Sequence, residues 1–153
     1  MTCVDFYILP DDQSENLQKY ACTLAEKNWQ LGKRVLIQTD TAEDSQQLDD
    51  LLWALRDDSF IPHGIATLEP GDQQQPILIS HQKINDADFQ IIINLSSRPA
   101  DLKAKQNVTD GDLKIDELLN QNENRKTSGR ENYKIYRELG YSLEHHKLEN
   151  IHG

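Results

Sequence analysis

The sequence predicts an α/β protein: one domain over residues 1–153, built on a mixed, mainly parallel sheet with flanking helices. Three observations predict it. Short runs rich in β-branched and aromatic residues recur along the chain, among them "CVDFYIL", "RVLIQT" and "DFQIIINLS". The segments after the first and second runs place apolar residues at helical spacing instead. The resulting order, strand–helix–strand–helix–strand–strand, favours parallel pairing at the start, because a helical crossover joins parallel strands.

Residues 3–9 are mostly apolar and read as a buried first strand. "PDDQS" breaks it, and Ser14 is the expected helix N-cap. Leu17, Tyr20, Ala21, Leu24 and Ala25 then recur at helical spacing to about Gln30, with Gly32 as a stop. Residues 34–39 form a second strand. Thr41 caps the next helix, with Asp44 at the acidic position of a capping box. Leu48, Leu51, Leu52 and Leu55 form its buried stripe. "DDSFIPHG" (57–64) reads as a loop. Residues 76–80 and 88–96 read as strands, the second apolar enough to be central. Residues 97–112 are polar, 113–119 fit a short strand or a helical turn, and 120–129 carry turn residues. A last helix, N-capped by Ser128, runs to Leu139 and stops at Gly140. Residues 141–148 alternate weakly and read as a final strand.

Composition narrows the function. A net charge of −10 argues against general attraction to nucleic acid or anionic membrane, so contact with a polyanion needs a local patch. Hydrophobic residues make up 37%, which implies a small core under a polar surface. No stretch approaches the ~18 apolar residues of a membrane span. No basic region leads into a long apolar run at the N-terminus, so the expected setting is the cytoplasm. Cys3 and Cys22 lack metal-ligand spacing and are expected to be buried free thiols. His145 and His146 are adjacent, so on a strand they face opposite sides, and with His152 they make no regular ligand set. Asp49 and Asp50 point about 100° apart on a helix and read as solvated. No metal site is expected.

The strand–helix start invites a nucleotide. Phosphate binding there needs glycines, so that backbone N–H groups can approach it at a helix N-terminus. The turn here, "LPDDQSEN", has no glycine and three acids, Asp11, Asp12 and Glu15. "LGKR" contains Gly-Lys but precedes a strand and lacks the upstream glycine of a phosphate loop. No cofactor is expected. No nucleophile–base set is visible either, which points to binding rather than catalysis.

One segment runs against the chain's charge. "RKTSGRENYKIYRELG" (125–140) holds five of the sixteen Lys and Arg residues and only two acids. With Ser128 and Glu131 as a capping box, Arg130, Tyr133, Lys134 and Arg137 fall within roughly a 100° sector of the helix. Ile135, Tyr136 and Leu139 fall opposite and are expected to face the core. Lys134 and Arg137 suit the helix C-terminus, but a cation such as Arg130 in the first turn is unfavourable and suggests an anionic partner. If the helix begins earlier, Lys126 joins the same row. A second oddity is Trp53, roughly 150° from the centre of the leucine stripe and followed by Phe60, Ile61 and Pro62. Either another element covers it, or it marks a protein-binding patch.

These stretches resemble a known family. "FYIL", "NWQLGKRVLI", "LDDLLWALRDDSFIPHGIA" and "RENYKIYRELGYSL" are similar to the chi subunit of the bacterial DNA polymerase III holoenzyme. The resemblance implies a fold like a mononucleotide-binding domain without a phosphate loop, in a subunit that is not itself a polymerase. It implies two partners. One is the psi subunit, which ties chi to the clamp loader. The other is the acidic C-terminal tail of single-stranded-DNA-binding protein, which ends in a Phe carboxylate. Some members also pair with a repair helicase through the psi surface. The family's tail-binding positions correspond to Arg130, Tyr133 and Lys134, with Arg137, Lys126 and Leu119 beside them. The psi or helicase surface corresponds to Trp53, Phe60 and Pro62. At "KTSG" the sequence departs from the family helix, because Gly129 costs about 1 kcal/mol in a helix interior. That favours a start at Ser128, which leaves Lys126 outside the helix.

The expected function is a non-catalytic replication adaptor whose contact with DNA is mainly indirect. The alternative is a weak direct nucleic-acid binder using the 125–137 patch. Stacking on bases would need exposed aromatics among the cations, and only Tyr133 is so placed.

Overall fold

The computed structural model describes residues 2–54, 63–65, 76–82, 89–100 and 113–148. Among these residues seven strands and three helices follow in the order β1 (Cys3–Ile8), α1 (Ser14–Gln30), β2 (Val35–Gln38), α2 (Ala42–Ala54), β3 (His63–Ile65), β4 (Ile77–Ser80), β5 (Ile91–Asn94), β6 (Lys114–Leu119), α3 (Glu123–Glu138) and β7 (Ser142–Lys147). The strands form one sheet in the order β3-β4-β2-β5-β6-β1-β7. Every described pairing is parallel, as the helical crossovers require. The expected α/β class holds. The 88–96 run supplies β5, the central strand, and its Ile91, Ile92 and Ile93 are fully buried.

Side-chain alternation divides the core between the two faces of the sheet. On one face Val35, Ile37, Ile77, Ile79, Ile91 and Ile93 pack under α1 and α2, which contribute Leu17, Ala21, Leu48 and Leu52. On the other face Val4, Phe6, Leu36, Leu78, Ile92 and Ile115 pack with Tyr136 of α3. Among the described helices, α3 alone lies across the sheet from α1 and α2.

Several local expectations change. Gln13, not Ser14, occupies the N-cap of α1. Asp11 provides the oxygen instead, accepting from the Gln13 N–H at 2.9 Å. Thr41 does cap α2, accepting from the Asp44 N–H at 3.0 Å. Leu48 and Leu52 are buried and Leu51 is half-buried, while Leu55 lies outside the described residues. His63 and Gly64, read as the end of a loop, open the short edge strand β3. Residues 114–119 are strand, not helical turn. Cys22 is buried, but Cys3 is exposed near the edge of the sheet. Gly32 and Gly140 both adopt φ 81°, the left-handed stop expected of them.

The largest change concerns α3. It starts at Glu123 and is capped by Asn122, whose side chain accepts from the Arg125 N–H at 3.1 Å. Ser128 is therefore an interior residue. Gly129 is tolerated inside the helix because the helix approaches the sheet closely there. A Cβ at that position would lie 2.6 Å from both Leu119 methyl carbons. The longer helix brings Lys126 into the cationic row.

Candidate functional site

The buried side of α3 is polar. Gly129, Asn132 and Tyr136 face the sheet, whereas Ile135 and Leu139 remain 38% and 52% exposed. The expected core face of Ile135, Tyr136 and Leu139 is thus correct only for Tyr136. The cause is Glu117, a fully buried carboxylate in the middle of β6. Asn132 donates to it at 2.8 Å, Tyr136 at 2.8 Å and Asn94 at 2.9 Å. The Arg125 guanidinium lies 3.5 Å away. Arg125 also donates to the carbonyls of Leu118, Ser96 and Asn94. Burial pushes the Glu117 carboxyl upward, against Arg125 and the three donors. Burial likewise lowers Arg125, against the Glu117 charge. A buried carboxylate with this many donors is well satisfied, and its geometry fixes the rotation of α3.

That rotation turns the flanking face of α3 into a cleft of about 1060 Å³ between the helix and the sheet. All six residues expected to bind an acidic tail line it: Leu119, Lys126, Arg130, Tyr133, Lys134 and Arg137. Arg130, Lys134 and Arg137 are exposed, and no ion pair among the described residues engages them. Lys126 lies 3.9 Å from Glu123, a weak surface contact. Because α3 begins at Glu123, Arg130 lies well inside the helix, and the unfavourable first-turn cation disappears. A different cost replaces it. Lys126, Arg130 and Lys134 follow one another at i,i+4, where like charges repel by a few tenths of a kcal/mol per pair.

The floor of the cleft is apolar. Tyr133 is half-buried, with its ring centroid 5.6 Å from that of Phe6 and 5.3 Å from that of His145. Phe6 and His145 stack at 4.9 Å. Ile8, Pro10 and Leu148 extend this surface, and Lys147 adds a cation from β7. Sequence reasoning named Tyr133 but not the other residues of this surface. Parallel pairing of β1 with β7 sets Phe6 opposite His145, a register no local pattern reveals.

Trp53 is 57% exposed at the end of α2, so no described element covers it. Its ring meets that of His63 edge-on, with centroids 5.0 Å apart. Phe60 and Pro62 lie outside the described residues.

The position that would hold phosphate in a nucleotide-binding fold lies at the C-terminal ends of β1 and β2. A smaller pocket of about 290 Å³ lies there, with Asp12, Asp40 and Asp44 in its wall. Asp11 already occupies the start of α1. These carboxylates repel phosphate. Among the described residues no helix is long and apolar enough to cross a membrane.

Comparison with known proteins agrees with this geometry. The C-terminal domain of the DEAD-box protein Dbp5 superposes with a TM-score of 0.64 at 8% identity, covering 97% of this chain and 92% of that one. The structure of T4 UvsW gives 0.62 at 10% identity, covering 95% of this chain and 42% of that one. These likenesses concern the fold alone. Curated relatives are closer in sequence. DNA polymerase III subunit chi of Pseudomonas aeruginosa is 33% identical over 99% of this chain and 100% of its own length. The Escherichia coli subunit is 28% identical over 90% of this chain and 92% of its own length. The Haemophilus influenzae subunit is 30% identical, covering 95% of each chain. The family model described as DNA polymerase III chi subunit, HolC, matches residues 1–144, and the chain belongs to that family.

Proposed function

We propose that this accessory, non-catalytic subunit of DNA polymerase III links the clamp loader, through psi, to the acidic C-terminal tail of single-stranded-DNA-binding protein. The observation that carries the tail reading is the cleft beside α3. It joins a row of cations, of which Arg130, Lys134 and Arg137 are exposed and without an ion pair among the described residues, to an apolar floor. A tail with several Asp residues and a terminal aromatic carboxylate matches both parts. Arg130 can hold the carboxylate bidentately, Lys126 and Lys134 supply further charge, and the ring can rest against Tyr133, Phe6 and Leu119. A disordered peptide gives up entropy on binding, so micromolar affinity is expected.

Calorimetric titration of the chain against the acidic tail peptide, a single-stranded oligonucleotide and ATP tests the reading. The peptide is expected to bind one to one, and ATP not at all. Tighter binding of the oligonucleotide than of the peptide would replace the adaptor with a direct nucleic-acid binder. Base stacking has little to use here, since Tyr133 is half-buried against Phe6.

The psi contact belongs to the Trp53 end of α2. A large exposed aromatic suits a protein interface, and its truncation there commonly costs 2 kcal/mol or more. Trp53→Ala is expected to weaken pairing with psi by at least tenfold while leaving the circular dichroism spectrum and tail binding unchanged. The same surface would serve a repair helicase in place of psi. Loss of fold in Trp53→Ala would mean that its contact with His63 is structural, and the surface would lose its anchor.

A further inference from the structure

We propose that Asp5, Glu144 and His146 form a binding site for one divalent first-row cation, zinc foremost, on the α1 face of the sheet. Parallel register puts three carboxylates side by side across three strands. Asp5 of β1 lies opposite Asp116 of β6 on one side and Glu144 of β7 on the other. Like charges placed so are destabilising unless something answers them.

Lys114 answers part. Its Nζ lies 3.1 Å from Asp5 Oδ2 and 3.3 Å from Asp116 Oδ1. Asp116 is fully buried, and neither of its oxygens accepts a hydrogen bond among the described residues. At 3.3 Å Asp116 and Lys114 answer each other as an ion pair. Asp5 and Glu144 then leave two negative charges, the complement of a divalent ion.

The donor geometry fits the same ion. With Oδ2 held by Lys114, Asp5 turns Oδ1 toward His146 Nε2 at 3.3 Å. Glu144 Oε2 lies 3.9 Å from the same nitrogen. The three donor atoms all lie within 4.8 Å of one another. Tetrahedral zinc, with ligand bonds of about 2.0–2.1 Å, separates its donors by roughly 3.4 Å. Glu144 is exposed and on the edge strand, so its side chain is free to close the remaining distance. Tyr7 stacks on the His146 ring at 5.0 Å and fixes its plane. Lys114 acts as an outer donor that orients a ligand carboxylate. The opposite face of β7 carries His145 and Lys147 into the cationic cleft, so an ion here braces that wall.

The test titrates the full chain with zinc and, separately, with cobalt, whose visible absorption reports its coordination. Wild type is expected to bind one ion, and His146→Ala and Glu144→Gln are each expected to weaken it tenfold or more. Thermal unfolding of wild type should shift upward by on the order of 5 °C at zinc 100-fold above the Kd, and that of His146→Ala and Glu144→Gln should shift less at the same zinc. Cys3→Ser should bind like wild type. No binding by wild type at millimolar zinc overturns the proposal and leaves a plain His146–Asp5 hydrogen bond. Loss of binding in Cys3→Ser, with His146→Ala unaffected, also overturns it.

Discussion

Glu117→Ala is expected to destabilise the fold by about 3–5 kcal/mol, the usual cost of removing one partner from a buried ion pair. Arg125 would remain buried without its counter-charge, although three carbonyls still accept from it. Asn132, Asn94 and Tyr136 would each lose an acceptor in the core. For a chain of this length the melting temperature should fall by on the order of 10 °C. Glu117→Gln should cost less, because it keeps the volume and one acceptor oxygen. Urea denaturation monitored by circular dichroism measures both, with an unchanged slope showing that the unfolded state is the same. A midpoint for Glu117→Ala within error of wild type would mean that α3 is held by its apolar contacts alone.

That network also shows where the sequence was silent. Periodicity located the strands well, because β2, β4 and β5 are buried on both faces and read as continuous apolar runs. It left β6 open between strand and helical turn, and misplaced the core face of α3, for one reason. "KIDELL" carries Asp116 and Glu117 in buried positions, so the strand does not look apolar. Its partner helix presents Gly129 and Asn132 to the core, so the wheel placed the core face on Ile135 and Leu139 instead. A buried polar cluster removes the hydrophobic signal from both elements that share it. Gly129 misled in the same way. Its propensity cost is real, but close packing of Leu119 requires the missing Cβ, and tertiary structure overrides propensity.

The cationic residues of the cleft were legible because a single-sign row at helical spacing is a local pattern. Most of its apolar floor was not, because Phe6 and Leu148 lie on other elements than Leu119 and Tyr133, the two floor residues the family resemblance named. The Asp5–Glu144–His146 cluster was invisible for the same cause. His145 and His146 do face opposite sides, as adjacency predicts. The ligand set then depends on which strands flank β1, and only the sheet order supplies that.

Arg130→Ala is expected to be the most damaging single change for binding the acidic tail, with Lys134→Ala weaker in effect. Arg130 sits centrally in the row, one helical turn from both Lys126 and Lys134, and it is exposed in the cleft. A hydrogen bond between charged groups contributes about 1.5–3 kcal/mol, so the loss reaches on the order of 100-fold at the upper end. Removing Arg130 also relieves repulsion from its two like-charged neighbours, so the variant should fold at least as stably as wild type. Loss of affinity with undiminished stability is what separates a binding residue from a structural one. Deleting the tail's terminal aromatic residue should weaken binding as much, because the ring loses its slot and the carboxylate its position. Affinity should fall as salt rises, since the charges are exposed and the screening length is only about 10 Å at 0.1 M. Lys33→Ala is the suitable control. Lys33 is exposed, whereas the neighbouring Arg34 packs over the Phe89 ring at 4.3 Å and its loss would disturb the core. The measurement is a peptide titration of wild type, Arg130→Ala, Lys134→Ala and Lys33→Ala at two salt concentrations. Equal affinities across the four proteins would reduce the row to a solvated helix face, and tail binding would have to be sought elsewhere on the molecule.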